Sequence, residues 1–246
     1  MSAFYRDARL KVQRAEKHIK EFKAAHAALE NSCTSTIQYY PHGGQSLIHE
    51  IPDLRDALDE LALIAGDAIH NLRSSLDFAW HSTILRLLPD KISHSTKFPV
   101  RDTRQDVHGA LHGIEVDTRC VRLYECIMSE VQPYDGGDDS SIWALHNFDI
   151  SDKHLLLLGL DPVGQIHGIS VTENGELLAG RSQPANRRDG KFIVDFPSGF
   201  KIENKGELSV TITLQETGIF EYTPVESFLS DLDNLALYTI QLLENI

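Results

Sequence analysis

Apolar residues recur at three- and four-residue steps along two long stretches of the chain, and this spacing is typical of helices that bury one face. It predicts a first helix over residues 3–30 and a second that begins at Asp53 and ends near Leu88, where Pro89 stops the pattern. Further helices are predicted in four places: near residues 103–111, 117–130 and 142–151, and after the Thr223–Pro224 pair.

Short β-branched and aromatic runs predict strands in two parts of the chain. Residues 37–40 and 47–51 have the pattern of a hairpin. Glycines separate the later runs, which are residues 166–171, 192–196 and 208–214. The pair Asn174–Gly175 suits a type I′ turn, whereas the polar residues 181–190 predict a loop.

These elements predict an α+β fold, in which a long-helix bundle carries a small C-terminal antiparallel β-sheet and is closed by a C-terminal helix. We expect the helical bundle over residues 1–154. The β-rich segment is expected over residues 155–246, with the final helix packing back on the bundle. At 246 residues the two parts can also form one single domain.

The net charge of −13 opposes nonspecific attraction to nucleic acid or to an anionic membrane. The charge is uneven, since the first helix is rich in Lys and Arg whereas every charged residue after Lys205 is acidic. This asymmetry predicts that the first and last helices pack together and neutralise each other. A basic groove for an anionic ligand is the alternative interpretation.

Three cysteines without a CxxC spacing predict a reduced, cytoplasmic protein. The first residues lack the apolar segment of a secretory signal, and the longest apolar run, residues 155–160, is too short to cross a bilayer. We therefore expect no membrane partner. The sequence also lacks a phosphate-binding loop, a serine-hydrolase elbow and zinc-finger spacing, so we expect no cofactor.

Polar residues that can carry chemistry collect on one face of the second predicted helix. This face holds two imidazoles, a guanidinium and carboxylates: Asp67, His70, Arg73, Asp77 and His81. Arg73 and Asp77 lie four residues apart, so they can pair on one helix. A second cluster, Asp152–Lys153–His154, follows near the end of a later helix, where the helix dipole alone favours Lys and His. The alternative interpretation is that this cluster faces Arg73 across a phosphate-sized space.

Three interpretations of this polar face stay open. It can be a structural network, because a buried charge must be paired to offset a desolvation cost of several kcal/mol. It can also perform acid–base chemistry without a metal. A metal site with His70, Asp77, His81 and His154 is the third option. However, a continuous helix separates His70 and His81 by about 16 Å, and we expect no metal there.

Three segments of the chain carry a resemblance to a known family. The order Gly66–Asp77 (GDAIHNLRSSLD), Phe98–Pro99–Val100 and Asp152–Lys153–His154 resembles an uncharacterised family of bacterial proteins with HNLRSALDH, FPI and DKHR segments. The resemblance covers nearly the whole chain and conveys no established activity. The residue after Asp77, a histidine in that family, is Phe78 in this chain.

More weakly, Arg73 resembles the arginine of the arginine–histidine motif of HEPN-type helical domains, which are often metal-independent ribonucleases and toxins. The candidate histidine, His81, lies just outside the usual spacing of that motif. This resemblance implies attack of a ribose 2′-hydroxyl on the adjacent phosphate. The implied acid or base is a histidine: His70, His81 or His154. Two cations, Arg73 and Lys153, would lie at the phosphate. Asp77 would be the orienting carboxylate.

The best specific expectation is therefore a HEPN-like, metal-independent ribonuclease or toxin-type protein, with RNA as a candidate partner. A noncatalytic binding or assembly protein, whose polar cluster is structural, is the main alternative. A metal-dependent hydrolase is the second alternative. The sequence leaves open whether the protein is an enzyme, and a second copy of the chain is a further candidate partner.

Overall fold

The computed structural model describes residues 3–137, 140–154, 158–215 and 220–246, without the side chains of residues 3 and 152–154. The helices are α1 (Arg6–Asn31), α2 (Leu54–Leu87), α3 (Arg104–Gly113), α4 (Val116–Arg119), α5 (Val121–Glu125), α6 (Ser141–His154) and α7 (Val225–Glu244). The long first, second and final helices confirm the prediction. The helix predicted over residues 117–130 is interrupted, because Cys120 leaves the helical conformation between α4 and α5. After α5 the chain continues as a π-helix, Cys126–Val131.

The strands form one antiparallel sheet: β1 (Thr34–Tyr39), β2 (Gln45–Glu50), β3 (Leu160–Glu173), β4 (Glu176–Arg188), β5 (Lys191–Phe196), β6 (Phe200–Asn204) and β7 (Glu207–Leu214). The strand order is β1-β2-β5-β4-β3-β6, and β7 also pairs with β3. Thus β3 pairs with β4 along one edge, and with β7 and then β6 along the other. Asn174 and Gly175, at φ 50° and 92°, make the predicted turn between β3 and β4.

The chain divides into two compact units, and each is assembled from separate stretches of sequence. The helical unit comprises Met1–Glu21, Leu63–Leu158 and Glu226–Ile246. The sheet unit comprises Phe22–Ala62 and Gly159–Val225, so that α1 and α2 each contribute residues to both units. The sequence-based division at residue 154 stays a prediction. No helix in the described ranges combines the length and the apolar character that crossing a membrane requires.

In the helical unit, Tyr5 lies directly before α1, is 1% exposed, and contacts two other helices through its hydroxyl. This hydroxyl lies 2.9 Å from Thr83 Oγ1 of α2 and donates to the Leu243 carbonyl of α7 at 2.9 Å. Nearby, Arg9 of α1 pairs with Glu244 of α7. The predicted pairing of the basic first helix with the acidic last helix is confirmed at this position.

In the sheet unit, apolar side chains from several strands form one buried cluster: Leu47, Ile166, Ile169, Val171, Val194, Phe196 and Ile202. Gly164 of β3 has a specific role, because a Cβ at this position would overlap the ring of Phe192. Both backbone groups of Val210 in β7 bind side chains of α1. Its N–H donates to Glu30 Oε1 at 2.7 Å, and its carbonyl lies 2.6 Å from His26 Nε2. The α1 helix therefore covers this strand edge.

The α+β fold is confirmed, but the prediction of a small C-terminal sheet is wrong in two respects. The hairpin β1–β2 joins the sheet through β2 and β5, so the sheet includes residues far from the C-terminus. The polar segment 181–190, predicted as a loop, belongs mostly to β4. Most side chains of β4 are exposed, so no apolar alternation marks this strand. Its backbone pairing with β3 and β5 makes it a strand.

Asp233 of α7 is a partly buried carboxylate whose Oδ1 has no hydrogen-bond partner among the described residues. Burial, and then the negative charge of Glu16 on α1, raise the pKa of Asp233 to about 6, although Lys20 opposes the shift. The unfolded chain binds this proton only below about pH 4. The ionised form of Asp233 therefore weakens the folded state.

We expect Asp233→Asn to raise the unfolding temperature at pH 7 and to change it little near pH 4. The raised pKa means that the stability gained from a protonated Asp233 is present at low pH and is lost as the pH rises through about 6. The asparagine carries no charge at any pH. Calorimetry from pH 4 to pH 7 measures the difference between variant and wild type.

The control is Asp231→Asn, which changes an exposed carboxylate on the same helix. This variant should show no gain that grows with pH. An equal gain in both variants, or none in Asp233→Asn, would contradict the assignment.

Candidate functional site

Three segments of the helical unit meet at Arg73: the middle of α2, the extended residues 98–101 and α6. On α2, Arg73 and Asp77 lie on one face because they are separated by one helical turn. Phe98 and Val100 are each 1% exposed, so the extended segment is anchored by apolar burial. The Phe98 ring also meets Trp80 edge-on, with ring centroids 5.8 Å apart.

Each guanidinium nitrogen of Arg73 donates a hydrogen bond, and the three acceptors lie on α2, on α6 and in the extended segment. Nη1 donates to Asp77 Oδ1 at 2.6 Å, and Nε donates to His146 Nδ1 at 3.2 Å. Nη2 donates to the carbonyl of Phe98 at the longer distance of 3.4 Å. The Arg73 side chain is 5% exposed, so these bonds hold a charge that is almost removed from water.

Asp77 completes the connection between α2 and the extended segment. The same Oδ1 that accepts from Arg73 also accepts the backbone N–H of Phe98 at 2.8 Å. Arg73 and Asp77 together therefore bind both backbone groups of Phe98. One ion pair fixes the position of a segment 21 residues further along the chain.

His146 of α6 is held in its neutral form. Because Arg73 Nε donates to Nδ1, the ring proton must lie on Nε2. Burial, and then the charge of Arg73, lower the pKa of His146; Arg101 lowers it further, while Asp149 and Asp77 oppose the shift. His146 therefore presents an N–H donor at neutral pH.

A second pair, His70 with Asp149, lies next to the first. His70 Nδ1 is 2.9 Å from Asp149 Oδ1, and the side chains are 39% and 8% exposed. The carboxylate requires a proton on Nδ1, so a neutral His70 carries its lone pair on Nε2. Along α2, His70 comes before Arg73. Along α6 the order of their partners is reversed, since Asp149 comes after His146, as expected for antiparallel helices.

The structure brings three of the predicted site residues into this cluster: His70, Arg73 and Asp77. His81 is exposed and makes none of these contacts. The side chains of Lys153 and His154 lie outside the described residues, so their predicted positions stay predictions. The sequence analysis missed His146 and gave Asp149 no role. Their spacing of three residues on one predicted helix was the available signal.

Within the ranges that the structure describes, no group of three or more His, Cys, Asp or Glu side chains is arranged to hold a metal ion. The ligand set considered from the sequence included His154, whose side chain is outside those ranges. In the described cluster, Asp77 instead pairs with Arg73, and Asp149 pairs with His70. Its chemistry is that of hydrogen bonding and proton transfer.

A separate polar cluster lies in the sheet unit, in a cavity of about 470 Å³. His49 is fully buried, and its Nδ1 lies 2.8 Å from Ser35 Oγ and 3.8 Å from Cys33 Sγ. Burial lowers the pKa of His49 and raises the pKa of the Cys33 thiol. A thiol with a raised pKa is a poor nucleophile. Ser35 and His49 are also cross-strand neighbours, which accounts for their contact structurally.

Comparison with known proteins gives no relative from which a role for either cluster can be transferred. No protein-family model, no curated protein and no solved structure matches the chain. The function is therefore argued from the geometry of the chain itself.

We expect Asp77→Ala to destabilise the protein more than Arg73→Met does. Asp77→Ala leaves a buried guanidinium without its carboxylate and the Phe98 N–H without its acceptor, a loss of about 3–5 kcal/mol. Arg73→Met removes the donor to Asp77, His146 and the Phe98 carbonyl, but it leaves no buried cation. The partly exposed Asp77 still accepts the Phe98 N–H, and methionine retains apolar volume. Urea unfolding of both variants measures the two free energies.

The matched control is Arg119→Met, which removes an arginine whose pair with Asp90 lies on the surface. This variant should unfold close to wild type. If Asp77→Ala also unfolds close to wild type, the Arg73–Asp77 pair does not hold the unit together.

Proposed function

We propose that this is a noncatalytic binding protein, in which the cluster around Arg73 is a scaffold. The observation that carries this proposal is that every nitrogen of the Arg73 guanidinium already donates a hydrogen bond within the protein, while the side chain is 5% exposed. An arginine that stabilises a phosphoryl transition state must direct its N–H groups at the substrate. Arg73 directs them at Asp77, His146 and the backbone of Phe98.

The scaffold has a consequence for binding. By holding the backbone of Phe98, it fixes the residues that follow, including Pro99 and Arg101. A preorganised surface binds its ligand with a smaller loss of conformational entropy than a mobile one. The network therefore supports a binding function without contacting the ligand.

A metal-independent ribonuclease related to HEPN domains is the second candidate, and one specific observation favours it. His70 is more than one third exposed, while its partner Asp149 is buried and orients the ring. A carboxylate that orients an accessible imidazole is the usual arrangement of a general base. Arg73 lies one turn away on the same helix.

In this second candidate, His70 Nε2 takes the proton of a ribose 2′-hydroxyl as the 2′-oxygen bonds to phosphorus. The bond from phosphorus to the 5′-oxygen then breaks, and the protonated His70 returns the proton from Nε2 to that oxygen. The roles of Lys153 and His154 at the phosphate, and of His81 as an alternative histidine, remain part of this candidate only.

RNA cleavage in the presence of a metal chelator separates the two candidates. The binding proposal predicts that wild-type protein leaves a mixed set of single-stranded and structured RNAs intact. His70→Ala tests the candidate base. His112→Ala is its matched control, because His112 forms a similar pair with Asp117 on an exposed surface of the same unit.

Cleavage by wild type and by His112→Ala, but not by His70→Ala, would overturn the binding proposal in favour of the ribonuclease. Cleavage that all three proteins share equally would exclude this cluster as its source. A cytoplasmic location is also part of the proposal, since Cys33, Cys120 and Cys126 are all free thiols.

A further inference from the structure

A cleft of about 180 Å³ lies in the helical unit, beside the segment that Arg73 and Asp77 hold. We name it the Trp80 cleft. Its main walls come from α2, from the extended segment and from α3 with the turn that follows it: Trp80, Lys97, Pro99, Arg101, Leu111 and Ile114. All of these residues belong to the helical unit.

The floor of the Trp80 cleft is apolar. Trp80 is 2% exposed and Leu111 is fully buried, and Pro99 lies beside them. The cleft therefore offers a ligand an apolar surface.

The rim of the Trp80 cleft is cationic. Lys97 is exposed and has no ion-pair or hydrogen-bond partner among the described residues. Arg101 donates one N–H from Nη1 to the Val100 carbonyl at 2.6 Å, which leaves other guanidinium donors available. Lys91 also lines the cleft, but Glu115 neutralises it at 2.6 Å. No carboxylate is among the described residues that line the cleft.

Hydroxyl groups complete the rim at the turn of residues 93–96. Ser93 Oγ lies 3.0 Å from Ser95 Oγ and 3.3 Å from Thr96 Oγ1, and the Ser93 N–H donates to Thr96 Oγ1 at 2.9 Å. These contacts shape the turn before any ligand binds. Each hydroxyl can still exchange one partner for a ligand oxygen.

We propose that the Trp80 cleft binds a small organic anion, in which a carboxylate or phosphate group is carried on a short apolar body. The apolar part rests on the floor beside Trp80, and the anionic group meets Lys97 and Arg101 at the rim. Sites for drug-sized molecules occupy about 300–1,000 Å³. The smaller volume of this cleft therefore selects a small ligand, or the end of a larger one.

This assignment deepens the proposed binding function and rests on it. The two can fail separately, because RNA cleavage tests the function whereas titration with a small anion tests only this cleft. If no RNA is cut and no anion binds, the protein remains a candidate binding protein with a different site.

Isothermal titration of the full chain with three probes tests the ligand class. Benzoate supplies both an anion and an apolar ring, inorganic phosphate supplies only the anion, and benzyl alcohol supplies only the ring. We expect saturable binding of benzoate, and binding of the other two that is at least about tenfold weaker, since each lacks one of the two contacts. Equal binding of benzoate and benzyl alcohol would contradict the proposal that the cationic rim binds the anionic group.

Two variants locate the binding, Lys97→Gln and Arg101→Gln. Both residues are exposed, so unfolding temperatures close to wild type are expected and are measured in parallel. Each variant should weaken benzoate binding about tenfold. The control Lys17→Gln removes an exposed lysine of α1, away from the cleft, and should bind benzoate as wild type does. If benzoate does not bind, or if all three variants bind it equally, the proposal is wrong.

Discussion

A guanidinium cannot lose its charge inside a protein, so a buried arginine must be surrounded by acceptors. Arg73 satisfies this constraint with a carboxylate on its own helix, an imidazole on α6 and a backbone carbonyl in the extended segment. These partners belong to three separate stretches of sequence. The need to pair one charge therefore fixes the relative positions of α2, α6 and Phe98, and the features that concern function are built around it.

Two of those features follow from the same charge. Burial, and then the charge of Arg73, lower the pKa of His146, and the hydrogen bond from Arg73 Nε determines which nitrogen carries its proton. The ion pair with Asp77 holds Phe98, and with it the segment that forms one wall of the Trp80 cleft. The network thus connects a polar cluster to a segment that lines a nearby cleft. This arrangement favours a scaffold over a catalytic centre.

The sequence predicts best those features that depend on local spacing. The Arg73–Asp77 pair follows from residues one helical turn apart, and the Asn174–Gly175 turn follows from a local backbone preference. The contact between Arg73 and His146 spans 73 residues and depends on how two helices align, which no local pattern reveals. The strand β4 was missed for a related reason. Its side chains are mostly exposed, so only its pairing with neighbouring strands makes it regular.

Hydrogen exchange at the backbone amide of Phe98 tests the central claim most directly, because this N–H donates to the carboxylate that pairs with Arg73. The amide should be strongly protected in wild type, since local opening would have to break a buried ion pair. In Asp77→Ala it should exchange much faster, while amides in the sheet unit keep their wild-type rates. A Phe98 amide that exchanges in wild type at the rate of an unfolded chain would contradict the account. Protection that does not depend on Asp77 would contradict it as well.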